Sequence, residues 1–192
     1  ACLPQLVAMF EDAEIGLAAA WRAVPTGDRR SRAWRVGRLV AEVHNELAEP
    51  KAGQVLAIRR ELAPVDEQVT VDDAFQQWRV SAAGLRVVRV PEAVVTSRPP
   101  ATLRDLVSQR RRVVAQYATL REATGHRPPT QSARGVLAAA LRTRTVRDEH
   151  RWDVLGAAVA VEAWARLLGW SDARWRRRDY RTWDAVASTK PQ

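Results

Sequence analysis

Residues 72–91 read Asp-Asp-Ala-Phe-Gln-Gln-Trp-Arg-Val-Ser-Ala-Ala-Gly-Leu-Arg-Val-Val-Arg-Val-Pro. The first twelve suit a helix: Phe75 and Trp78 stand at i and i+3, and Gly84 is the usual terminator. Leu85 to Val90 then alternates Leu, Val and Val with Arg86 and Arg89, which predicts a strand that Pro91 closes. A helix followed at once by a strand is the signature of an α/β layer. The same signature recurs on both sides. Upstream, Ile15 to Trp21 is an unbroken apolar run suited to a strand buried on both faces. A helix is expected over Ala33–Leu47, where Trp34, Val36, Leu39, Val40, Val43 and Leu47 recur at helical intervals before Pro50, with a polar loop at Pro25–Arg32 before it. Pro4 to Asp12 reads as a short helix, and Gly53 to Ile58 as a strand at the sheet edge. Downstream, Val94 to Thr96 is a further extended piece. Thr102 caps a long helix to about Glu122, with Asp105 in its first turn. Beyond the Gly125–Thr130 loop the chain reads as helical to its end. The expected organisation is an α/β region over residues 1–130 and a helical C-terminal region over residues 131–192.

The chain has 192 residues, 46% of them hydrophobic, enough for one ordinary domain with a real core. Its single cysteine, Cys2, excludes an intrachain disulfide and a multi-cysteine zinc site. His44, His126 and His150 share no ligand spacing with Cys2 or with an acidic triad, so no metal ligand is assigned. The start at Ala1 lacks a charged segment before an apolar run, and the expectation is a chain that begins mid-protein without a signal peptide. The net charge is +9, and 29 of the 31 basic residues are arginine, which combines the bias of G+C-rich coding with a surface that attracts anions. Val154 to Trp170 is the longest apolar stretch, interrupted by Glu162 and Arg166 at i,i+4. Its stripe of Leu155, Val159, Ala163 and Leu167 suits packing against the domain, or lying on a membrane surface beside Arg174 and Arg176 to Arg178. Trp34, Trp78, Trp152 and Trp164 are expected in core or interfacial positions.

Two clusters can carry chemistry. Asp72 and Asp73 stand where a loop enters a helix; adjacent carboxylates there can divide the work of general base and orienter, or simply cap the helix. Gln109-Arg110-Arg111-Arg112 lies inside the long helix and places Gln109 and Arg112 on one face. Guanidinium forks suit phosphate oxygens and can stabilise a departing pyrophosphate, although a solvated basic face would look the same.

Taken in order, the strand 53–58, the Asp pair, Gly84, the strand 85–90, Pro91-Glu92-Ala93, Thr102-Leu-Arg-Asp and Gln-Arg-Arg-Arg resemble the C-terminal half of a family 2 glycosyltransferase catalytic domain. The resemblance covers roughly residues 3 to 130, with weaker similarity over Trp183 to Lys190. It implies a partial Rossmann-like nucleotide-sugar transferase fold of the GT-A type with a helical appendage. The implied activity is inverting transfer of a sugar from a nucleotide-diphosphate donor to a carbohydrate or lipid-linked acceptor hydroxyl, in the setting of polysaccharide biosynthesis. Asp73 matches the base and Asp72 its acidic neighbour, while Gln109 and Arg112, with Arg111 beside them, match the element that contacts substrate. Val113 follows Arg112 where processive synthases of the family carry Trp, so transfer of one or a few sugars is implied. The family's metal-binding Asp-x-Asp and nucleotide-binding start precede the region matched here. A divalent cation, Mg or Mn, is therefore implied with ligands mostly outside this chain, and the chain alone is expected to show little turnover. A cytoplasmic location at the inner face of the membrane follows from the same resemblance.

The rival from another class is a basic nucleic-acid-binding module using helix 102–122 and the Arg174–Arg181 stretch, or a non-catalytic interaction module. Asp72, Asp73 and Asp105 interrupt that basic surface and no binding motif is present, so nucleic acid is not expected as a partner.

Overall fold

The computed structural model describes residues 2–25, 31–53, 55–63 and 72–175. It is a mixed α/β chain around a small three-stranded sheet in the order β2-β1-β3. β1 (Ile15–Ala23) is central, pairing antiparallel with β2 (Leu56–Ile58) and parallel with β3 (Arg86–Thr96). The unbroken apolar run of β1 is explained by its two covered faces. Ala18 and Ala20 pack with Leu6 of α1 (Leu3–Ala8), Val90 and Ala93. Leu17 and Ala19 pack on the other side with Ala52 and with Val80 of α3 (Asp72–Ala82). Gly84 ends α3 with φ +73°, a left-handed position that glycine adopts without a Cβ penalty.

Pro91 does not close the third strand. β3 continues to Thr96, and its register against β1 jumps from Ala20↔Val90 to Trp21↔Val94. Residues 91–93 are the excess of a bulge, where a proline needs no N–H for the ladder, so the pieces 85–90 and 94–96 are one strand. At the edge, β2 is shorter than the Gly53–Ile58 run.

The second layer is helical. α2 (Arg32–Glu46), α4 (Leu103–Thr124), α5 (Ala133–Arg142), α6 (Arg144–Arg147) and α7 (Trp152–Trp175) share a core of Val36, Leu39, Val43, Leu47, Leu106, Ala139, Ala140, Val146 and Val154. Thr102 caps α4, its hydroxyl accepting from the Asp105 N–H at 3.1 Å. α7 lies against α4 so closely that a Cβ on Gly169 would stand 2.6 Å from the Arg111 carbonyl oxygen. The face of α7 that packs carries Val154, Ala165, Gly169 and Asp172. The stripe read from the sequence is mostly the opposite one: Leu155 is half-buried, but Val159, Ala163 and Leu167 are exposed. Trp152 and Trp164 are also exposed rather than core. The expected Glu162–Arg166 pair is formed, at 2.9 Å. Arg176 to Arg178, the Trp183–Lys190 stretch and most of the Pro25–Arg32 loop lie outside the described residues.

Candidate functional site

Asp73 stands in the first turn of α3, where the helix N-terminus favours a carboxylate. Its Oδ1 accepts from the Ala74 N–H at 2.8 Å and its Oδ2 from Lys51 Nζ at 3.1 Å. Lys51 is held there by α3 itself. One turn beyond Asp73, the buried Gln77 donates from Nε2 to the Pro50 carbonyl (2.8 Å) and accepts at Oε1 from the Ala52 N–H (3.0 Å), clamping the backbone on both sides of Lys51. Burial opposes the Lys51 charge, but Tyr117 and Asp73 outweigh it and hold its pKa above the ordinary lysine value.

Asp73 and Lys51 open onto a cavity of about 490 Å³ between the sheet and α4. Gln109 and Arg112 line the same cavity, so three residues singled out in the sequence meet although 36 positions separate Asp73 from Gln109. Arg110 lines it as well, although the spacing in the sequence singles out only Gln109 and Arg112 as sharing a face. Its guanidinium is bound by the Glu162 carboxylate of α7 at 2.8 and 3.1 Å. Although burial opposes its charge, Glu162 keeps the Arg110 pKa raised. Arg111, expected to bind substrate, instead points into the α4–α7 interface and forks onto the buried Asp172 carboxylate at 2.6 Å through both nitrogens. Three consecutive helical residues cannot share a face, and α7 takes this one. Asp72 opens α3, but its side chain lies outside the described residues.

Sequence reasoning missed Lys51, Arg22, Arg89 and His44 as members of the cavity wall. Arg22 donates from Nε to Ser97 Oγ at 2.7 Å, and burial lowers its pKa, with Arg110 adding to the effect. Arg89 caps the end of α2, donating to the carbonyls of His44 (2.8 Å) and Asn45. These two arginines interrupt or end apolar strands, and Lys51 is one of two lysines in an arginine-biased chain; those anomalies were the available signals.

Among the described residues the charged side chains of the wall are cationic except Asp73, which is bonded to Lys51. Such a lining recruits phosphate or carboxylate groups. It does not fit a divalent cation, which needs several oxygen ligands. Among the described residues no group of three His, Cys, Asp or Glu side chains gathers to hold a metal.

His44 reports the same field. Its pKa sits well below the ordinary 6.5 because burial disfavours the imidazolium and Lys51, Arg110, Arg22 and Arg89 repel it. The unfolded chain therefore takes up a proton, below its ordinary pKa, that the folded chain excludes. The stability contributed by the neutral imidazole is expected to be intact above that pH. It should be lost on acidification by up to about 1.4 kcal/mol per pH unit. Thermal melts at descending pH check this, and His44→Gln should flatten the slope. Burial lowers the His126 pKa too, leaving a residual slope in the variant. An identical slope in His44→Gln would contradict the assignment.

No family model, curated protein or solved structure matches this chain. What fold and site define is a class: a mixed α/β chain with a carboxylate set beside basic side chains in a cavity.

Proposed function

We propose that the chain forms the acceptor and leaving-group part of a nucleotide-sugar transferase site, on a partial Rossmann-like GT-A fold. The observation that carries this reading is the convergence of Asp73, Gln109 and Arg112 on one cavity where Arg22, Lys51, Arg89 and Arg110 stand among neutral and apolar wall residues. A glycosyltransferase needs both halves of that arrangement. An acceptor hydroxyl attacks the anomeric carbon as Asp73 takes its proton. The bond from that carbon to the diphosphate oxygen breaks in line, its electron pair leaves on the diphosphate, and the configuration inverts. Both Asp73 oxygens already accept one hydrogen bond, and each keeps a lone pair for the acceptor. Arg112 and Arg110, with Lys51, Arg22 and Arg89 behind them, supply the positive field in which the leaving charge develops. That field is fixed before reaction by α2, α3 and α7, so it costs little to organise. The described residues do not fit a divalent cation; Mg or Mn would be held by the nucleotide-binding half. The nucleotide-binding half, a carbohydrate or lipid-linked acceptor, and placement at the inner face of a membrane belong to the same proposal.

The test is calorimetric binding of pyrophosphate and a nucleoside diphosphate. Arg112→Lys keeps the charge but not the planar two-pronged contact, and is expected to weaken binding about tenfold or more with an unchanged melting temperature. Arg110→Lys should also be damaging, since an ammonium cannot reproduce the fork onto Glu162 that fixes this wall. If both variants bind as wild type does, the cavity is not a diphosphate site. Tight, steeply salt-dependent binding of single- or double-stranded nucleic acid in place of diphosphate would favour the rival module.

A further inference from the structure

The outer face of α7 is apolar, rich in tryptophan and covered by nothing among the described residues. Trp152, Val159, Trp164, Leu167, Trp170 and Trp175 are each more than half exposed. At 100° per residue they fall, with Gly156, Ala160 and Ala163, within an arc of roughly 160°. Charged residues on that arc stand only at the ends of the helix, Asp153 in the first turn and Arg174 in the last. We propose that this face docks on the surface of an anionic lipid bilayer, with α7 lying in the interfacial plane. The inference gives the membrane placement of the proposed function a surface of its own, and it is tested without any measurement of transfer or diphosphate binding.

The chemistry of the face selects the occupant. Trp prefers the boundary between headgroups and acyl chains, because its ring is apolar and its N–H is polar. Four such rings are spread over the whole helix, about 36 Å long at 1.5 Å per residue. A spanning helix would keep its tryptophans near its two ends, whereas Trp164 lies at the middle of this one. A spanning pose would also carry Glu162 and Arg166 to mid-bilayer, together with their partner Arg110 on α4, at a high desolvation cost. An interfacial pose leaves that polar side against the protein, where it is already paired. Charge complementarity names the lipid: the chain carries +9, Arg174 stacks over the Trp175 ring at 5.4 Å, and the sequence continues Arg176-Arg177-Arg178.

The experiment is vesicle co-sedimentation of the protein with phosphatidylcholine, with and without phosphatidylglycerol. Wild type is expected to bind the anionic vesicles, to be weakened but not released by salt, and to show tryptophan quenching by brominated acyl chains. Trp164→Ala/Trp170→Ala should lower the binding at least about tenfold with an unchanged melting temperature, and Trp164→Phe/Trp170→Phe should recover much of it. Absence of vesicle binding by wild type, or undiminished binding by the alanine double variant, overturns the proposal. So does a concentration-dependent dimer that the same double variant dissociates, which would make a second copy the occupant.

Discussion

Asp73→Asn is expected to lower sugar transfer by about 10²–10⁴-fold, the usual worth of a positioned general base. The assay pairs the chain with the nucleotide-binding half that the proposed function requires. The amide keeps the shape of the carboxylate, but its single oxygen can accept from Lys51 or from the Ala74 N–H and not from both, so an unchanged melting temperature is the check that the cavity keeps its form. Diphosphate binding should then be unchanged or tighter, because the carboxylate charge that the described residues place beside Lys51, Arg22, Arg89, Arg110 and Arg112 is gone. Loss of turnover with retained affinity separates a base from a binding residue. Asp72→Asn is expected to cost less than Asp73→Asn. Lys51→Met, which removes the donor that orients Asp73, should fall between wild type and Asp73→Asn. Turnover of Asp73→Asn at the wild-type rate would remove the base assignment and leave Asp73 as a first-turn carboxylate of α3.

The parts of this molecule that were legible in the sequence are those set by local rules. β1 could be read because a strand covered on both faces has no polar alternation to confuse it. α3 and α4 could be read because Gly84 and Thr102 punctuate them. β3 was cut short at Pro91 because the local rule is a missing N–H, whereas the outcome depended on a bulge, and that is a property of its pairing with β1. The site divides along the same line. Spacing within a helix gives which residues share a face, so Gln109 and Arg112 were found together. It does not give what each face meets. The surroundings of Arg110 and Arg111 are decided by Glu162 and Asp172, some 50 to 60 residues away on α7. The packing face of α7 was misread for a related reason: small residues, Ala165 and Gly169, allow the close approach to α4, while the bulky Trp and Leu side chains that dominate a hydrophobic pattern point away.

Arg111→Ala is the substitution expected to cost the most stability, and it distinguishes the position seen here from the substrate-binding role implied by resemblance. The Arg111 fork meets Asp172 at 2.6 Å on both oxygens, and the Asp172 side chain is 1% exposed. Truncating the arginine leaves that carboxylate in the α4–α7 interface without its bidentate partner, and breaking a buried pair from one side costs about 3–5 kcal/mol. The close approach at Gly169 leaves little room for the interface to relax around the change. Urea unfolding should show a lower midpoint with an unchanged slope, the mark of lost stability rather than a looser native state. Removing both partners together, as Arg111→Leu/Asp172→Leu, should cost less than Arg111→Ala alone, because no charge is then left buried. Diphosphate affinity of folded Arg111→Ala should stay near the wild-type value. The opposite pattern, normal stability with a large loss of affinity, would return Arg111 to the binding site and mean that α7 does not hold it.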